Sequence, residues 1–125
     1  MAPNATTVLI VEDDPALRRM YRAALGLAGF EVVEADDGLA ALHFLDHRTP
    51  DLVILDLMLP TMSGLVVQQE IAAHAHTRAI PVVIVTGSDL SLDHIDVPCV
   101  LRKPVSPDAL VDAVRACLAS GAPGV

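Results

Sequence analysis

Leu52-Val53-Ile54-Leu55-Asp56, continuing as Leu57-Met58-Leu59-Pro60, decides the fold of this chain. Four apolar residues, two of them β-branched, end abruptly in a carboxylate and lead on to a proline. A run this short and this uniformly apolar suits a strand covered on both faces, the usual state in a parallel sheet. Two other runs have the same form: Val8-Leu9-Ile10-Val11 ends in Glu12-Asp13-Asp14, and Val82-Val83-Ile84-Val85 ends in Thr86. A weaker one, Cys99-Val100-Leu101-Arg102, ends in Lys103-Pro104, and the half-apolar Glu31-Val32-Val33-Glu34-Ala35 reads as an edge strand. In an open parallel sheet, functional groups gather in the crevice outside the carboxyl ends of the strands. Those ends supply three carboxylates, a hydroxyl and an ammonium, with Asp56 at their centre.

Helical patterns separate the runs. Asp14-Pro15 opens the first, with Asp as N-cap and Pro at the first helical position. Leu17, Met20, Tyr21, Ala24, Leu25 and Ala28 form its apolar stripe, Arg18, Arg19 and Arg22 lie off it, and Gly29 ends it. Asp36-Asp37-Gly38 turns into a second helix over roughly 38–47, and a third runs from about 64 to 74, with Gln68 unaccountably on its apolar stripe. The last opens at Ser106-Pro107-Asp108 and buries Leu110, Val111, Val114, Cys117 and Leu118. The polar stretch 87–98 suits one or two turns rather than a full helix. Alternating strands and helices imply βαβ crossovers and one parallel sheet. The chain reads as a single domain over 1–125, with its core in 7–119, a frayed start and a disordered 121–125 tail.

Composition narrows the function. The 125 residues are 53% hydrophobic but only 2% aromatic, so the core is built from Val, Leu, Ile and Ala. A net charge of −8 argues against direct nucleic-acid binding, which needs clustered Lys and Arg. The apolar stretches fall short of a membrane span and the N-terminus lacks signal-peptide features, so a cytoplasmic protein with no membrane partner is expected. Cys99 and Cys117 sit in apolar patterns without metal-type spacing and read as reduced core residues. His43, His47, His74, His76 and His94 read as surface residues. No G-x-G-x-x-G dinucleotide loop is present. An aspartate-nucleophile phosphatase would need a second Asp where Met58 stands, and Glu12-Asp13-Asp14 would repel a flavin phosphate.

Six stretches together carry a resemblance: Val8 through Pro15, Glu34-Ala35-Asp36-Asp37-Gly38, Pro50 through Asp56, Leu59-Pro60-Thr61-Met62-Ser63-Gly64, Ile80 through Gly87, and Leu101-Arg102-Lys103-Pro104. Each is weak alone; in this order and spacing the chain resembles a response-regulator receiver domain over roughly 7–119. The resemblance implies a flavodoxin-like, doubly wound, five-stranded parallel sheet in order 2-1-3-4-5, here with a short or degenerate fourth helix. It implies that Asp56 accepts a phosphoryl group from a histidine kinase or histidine phosphotransfer protein. Glu12, Asp13, Asp56 and the Met58 backbone carbonyl would hold Mg²⁺ (or Mn²⁺). Thr86, Gly87 and Lys103 would meet the phosphoryl group, with a cis peptide before Pro104 common in the family. Such a domain is not a turnover enzyme: it catalyses only its own phosphotransfer and dephosphorylation, and switches an unidentified downstream protein partner.

The residues support these roles independently. Three carboxylates in one crevice raise one another's pKa unless a cation neutralises them, and Mg²⁺ takes oxygen ligands, commonly carboxylates plus a phosphate. The bland alternative for Glu12, Asp13 and Asp14 is a helix-start acidic cluster, and Asp14 is read that way. The chain also departs from the family pattern. Val100 replaces the aromatic usual at the switch position that works with Thr86, the 87–102 segment is short, Ser63 replaces an acid, and Met58 stands where dephosphorylation is tuned. Ordering of 87–98 on phosphorylation is therefore expected in place of an aromatic toggle. The competing function is a receiver-like adaptor or scaffold that works without phosphorylation.

Overall fold

In the computed structural model, which describes residues 5–87 and 99–120, the five runs are five parallel strands. They are β1 (Thr7–Val11), β2 (Glu31–Ala35), β3 (Leu52–Asp56), β4 (Val82–Thr86) and β5 (Cys99–Arg102), in the order β2-β1-β3-β4-β5. The register sets Leu9 beside Val53, Asp56 beside Val85 and Ile84 beside Val100. This is the flavodoxin-like order that the resemblance implies, with β2 and β5 at the edges.

Four helices lie among the described residues: α1 (Pro15–Leu27), α2 (Gly38–His47), α3 (Gly64–Ala73) and α4 (Pro107–Ser120). The short fourth helix expected in 88–98, and its ordering as a switch, fall outside the described residues, as does His94. Side chains alternate across the sheet with the two-residue period of a strand. Val8, Ile10, Leu52, Ile54, Val83 and Val85 face α1 and α4, packing on Tyr21, Leu25, Leu110 and Val114. Leu9, Val11, Val53, Leu55, Val82 and Ile84 face α2 and α3, packing on Ala41, Leu45, Val67 and Ile71. β1, β3 and β4 are therefore buried on both faces, which is why their sequences read as uninterrupted apolar runs. Among the described residues β5 packs only on the first: Cys99 and Leu101 lie there, and Val100 is 37% exposed on the other.

The helix starts are capped as their sequences require. Asp14 accepts from the Ala16 N–H at 2.9 Å, Asp37 from Ala40 at 2.7 Å, Ser63 from Leu65 at 3.1 Å and Ser106 from Ala109 at 3.1 Å. Gly29, at φ 96°, makes the left-handed turn after α1. Gln68 is buried on α3 and its Oε1 has no hydrogen-bond partner among the described residues; nothing in the structure explains it. Cys99 and Cys117 are free thiols, and burial, with the Cys99 side chain against it, pushes the Cys117 thiol up to about 12. No described helix is long and apolar enough to cross a membrane.

Candidate functional site

The carboxyl ends of β1 and β3 deliver the acids. Asp56 is the last residue of β3 and is 2% exposed; Glu12 follows β1 and is 1% exposed; Asp13 next to it is exposed. One oxygen from each of these three carboxylates lies within 4.8 Å of the others. The main chain fixes two of them. Asp56 Oδ1 accepts from the Met58 N–H at 2.9 Å, and Glu12 Oε2 from the Asp14 N–H at 3.1 Å.

Lys103, just past β5, reaches in from the other side. Its Nζ donates to Asp56 Oδ2 at 3.1 Å and lies 3.0 Å from Glu12 Oε1. The second contact is an ion pair to a buried oxygen. The Lys103 N–H donates to the Thr86 carbonyl at 2.9 Å, which ties the start of the lysine's segment to the end of β4. Lys103–Pro104 is a cis peptide, as the family pattern implies. Thr86 is fully buried at the end of β4. Gly87 is exposed, and a Cβ there would sit 3.7 Å from Lys103 Cβ, an ordinary contact. The Met58 side chain is 61% exposed, so this residue meets the site through its main chain. Val100 is not brought to the crevice; it stays on the open face of β5.

Charge in the crevice is unbalanced. Burial is the largest influence on Glu12 and, with the Asp56 charge, pushes its carboxyl from 4.5 up to about 7, against the pull of the Asp14 N–H and Lys103. Burial opposes the Lys103 ammonium, but hydrogen bonds and charge from Glu12 and Asp56 outweigh it and hold its pKa above the ordinary lysine value. Burial, then the Glu12 charge, raises the phenol of Tyr21, whose hydroxyl has no partner among the described residues. Three carboxylates against one ammonium leave the crevice net negative, and like charges this close repel one another.

Gly64 shapes the site from beneath. A Cβ there would overlap the Asp56 carbonyl oxygen and come 2.6 Å from Leu57 Cα, so only glycine lets α3 start against the end of β3. The Gly64 N–H donates to the Leu57 carbonyl at 3.0 Å across that contact. The preceding turn strains Thr61, a β-branched residue at φ 67°.

Reading the sequence missed Arg18 and Glu34. Arg18 Nη1 donates to the Glu12 carbonyl at 2.9 Å and lies 3.4 Å from that of Asp13; its Nε donates to Glu34 Oε1 at 3.2 Å. Arg22 Nη1 holds the other Glu34 oxygen at 2.6 Å. A signal existed: an arginine this close to a helix start opposes the macrodipole and calls for a specific partner.

Residues 8–115 match the model of the response regulator receiver domain family. The chain belongs to that family. It is 34% identical over 123 residues to the phosphate regulon transcriptional regulatory protein PhoB of Pseudomonas aeruginosa, covering 94% of this chain and 54% of that protein. It is 37% identical over 121 residues to the sensory transduction protein RegX3 of Mycobacterium tuberculosis, covering 93% and 52%. This receiver domain therefore spans about half the length of these curated relatives. The chemotaxis response regulator CheY4 of Vibrio cholerae superposes with a TM-score of 0.84 at 25% identity, covering 91% of this chain and 99% of that one.

Proposed function

We propose that this receiver domain is the phosphoacceptor of a two-component or phosphorelay system, with Asp56 taking a phosphoryl group from a phosphohistidine donor. The observation that carries the reading is the meeting of Glu12, Asp13 and Asp56 within 4.8 Å, with Lys103 Nζ 3.1 Å from Asp56. An Asp56 oxygen attacks phosphorus in line, the P–N bond breaks with its electrons going to the donor imidazole, and an acyl phosphate forms.

Charge dictates the rest. Three carboxylates and an incoming phosphoryl group outweigh one ammonium, and the all-oxygen donor set of Glu12, Asp13, Asp56 and the Met58 carbonyl fits Mg²⁺ or Mn²⁺. When bound, such an ion neutralises the acids and draws charge from the phosphoryl oxygens. Lys103 exchanges its contacts with Asp56 and Glu12 for a phosphoryl oxygen. The Thr86 hydroxyl offers a hydrogen bond, and Gly87 leaves the donor room to approach. The upstream partner is a histidine kinase or phosphotransfer protein, and the downstream partner is a protein that reads the phosphorylated state, with Thr86 and Val100 the switch positions nearest that signal. The relatives named as regulators are about twice as long, so their output is not carried over.

Acetyl phosphate with Mg²⁺ should add one phosphoryl group to the intact protein by mass. Asp56→Asn, or chelation of the metal, should prevent it. Unchanged labelling of Asp56→Asn would overturn the acceptor assignment, and no labelling of the natural chain would favour a phosphorylation-independent adaptor.

A further inference from the structure

The three carboxylates are not held alike. Glu12 and Asp56 are buried, each takes a main-chain N–H, and Lys103 lies against both. Asp13 is exposed, and its carboxylate accepts no hydrogen bond among the described residues. Where it points is left to its backbone. That backbone is tied from the β2 side, by the Glu12 N–H on the Ala35 carbonyl at 3.1 Å and by Arg18 Nη1 against the carbonyls of Glu12 and Asp13 at 2.9 and 3.4 Å. Arg18 is itself held: Glu34, on β2, takes Arg18 Nε at 3.2 Å and Arg22 Nη1 at 2.6 Å.

We infer that Arg18, clamped by Glu34, is the positioning residue that aims Asp13 into the crevice, acting on the peptide carbonyls flanking that acid. The inference rests on the metal reading above. A planar guanidinium suits the task because it spans two carbonyls and a carboxylate from one rigid fork; a lysine ammonium offers the charge without that geometry. Glu34 is shared by Arg18 and Arg22, so this trio keeps one net positive charge, and an arginine acting through charge alone would oppose a divalent cation. Partners that orient metal ligands from outside the first shell commonly carry tenfold or more in metal affinity.

The two possible roles of Arg18 differ in sign and in coupling. If its charge mattered most, removing it would tighten Mg²⁺ binding. If it aims Asp13, removing it weakens binding, and only where Asp13 is present to be aimed. Mg²⁺ affinity is measured by calorimetry on the full chain for the natural protein, Arg18→Ala, Arg18→Lys, Glu34→Gln, Asp13→Asn and the Asp13→Asn/Arg18→Ala pair. Thermal melting without metal confirms that each is folded at the assay temperature. Arg18→Ala and Arg18→Lys should each weaken Mg²⁺ binding roughly tenfold, Glu34→Gln less, and Arg18→Ala should cost nothing further on the Asp13→Asn background. Should Arg18→Ala not fold, Glu34→Gln measured with and without Asp13→Asn gives the same cycle. Tighter or unchanged binding in Arg18→Ala, or an equal loss on both backgrounds, overturns the positioning role and leaves the metal site standing. Unchanged affinity in Asp13→Asn overturns the metal assignment itself, and the inference with it.

Discussion

The two halves of the crevice stand on different kinds of strand. The carboxylates are mounted on β1 and β3, whose apolar residues are buried against a helical layer on each face, and Asp56 ends a strand buried throughout. Lys103 is mounted past β5, an edge strand whose residues alternate between half-buried and exposed. The difference follows the charges. Carboxylates confined within 4.8 Å repel one another and would relax apart on a soft support. A lone ammonium on a four-carbon stem is attracted to its partners and needs only reach. Rigid packing holds the groups that repel, and an edge strand carries the group that is attracted to them.

The largest break in this arrangement should come from Gly64→Ala. Its Cβ meets the Asp56 carbonyl and the Leu57 backbone, neither of which can rotate away. Urea denaturation should show a loss on the order of 4 kcal/mol, with acetyl phosphate labelling of Asp56 slowed under folding conditions. A loss well under about 1 kcal/mol would mean that α3 can retreat from β3.

Truncating a registered pair compares the two supports directly. Ile84 and Val100 sit side by side on β4 and β5 and face the same side of the sheet. Ile84 is fully buried, so Ile84→Ala should cost about 3 kcal/mol. Val100→Ala, at an exposed position, should cost less than about 1 kcal/mol. Equal costs in urea melts would show that β5 is covered on both faces in solution.

A further effect is electrostatic and depends on pH. The Glu12 carboxyl is raised from 4.5 to about 7 in the folded protein, so the fold binds a proton there more tightly than the unfolded chain does. That stabilisation is complete below pH 4.5 and is lost as pH rises through about 7. In chelator, the stability of the natural protein relative to Glu12→Gln should fall across this window by roughly 3 kcal/mol and then level off. Above the window, in metal-free buffer, Glu12→Gln should be the more stable of the two. A pH-independent difference between them would remove the electrostatic account. In saturating Mg²⁺ the order should reverse if Glu12 ligates the ion.

Much of this molecule was legible as sequence because its signals are local. Runs of apolar residues cut off by Glu12, Asp56 and Thr86 mark strands buried on both faces, and Asp14-Pro15 and Ser106-Pro107 mark helix starts through hydrogen bonds only a few residues long. Alternation with helices then forces parallel strands, and parallel strands send their carboxyl ends to one side. Asp56, Glu12, Asp13 and Lys103 could thus be gathered in advance. The pairing of Arg18 with Glu34 could not, since it joins a helix flank to an edge strand and leaves no periodic trace; the sequence placed Arg18 only off the apolar stripe.

What the sequence determined by itself was the identity of the strands, the helix boundaries near their caps, and the set of groups at the carboxyl ends, because each depends on neighbours along the chain. Only the tertiary structure decided which acid is buried, which is exposed, and what holds each in place. It alone showed that Lys103 bridges Glu12 and Asp56, that Gly64 is required by the Asp56 carbonyl behind it, and that Val100 stands uncovered on the open face of β5 among the described residues. These are properties of residues far apart in sequence and close in space. Burial, charge coupling and close approach arise only when the chain is packed.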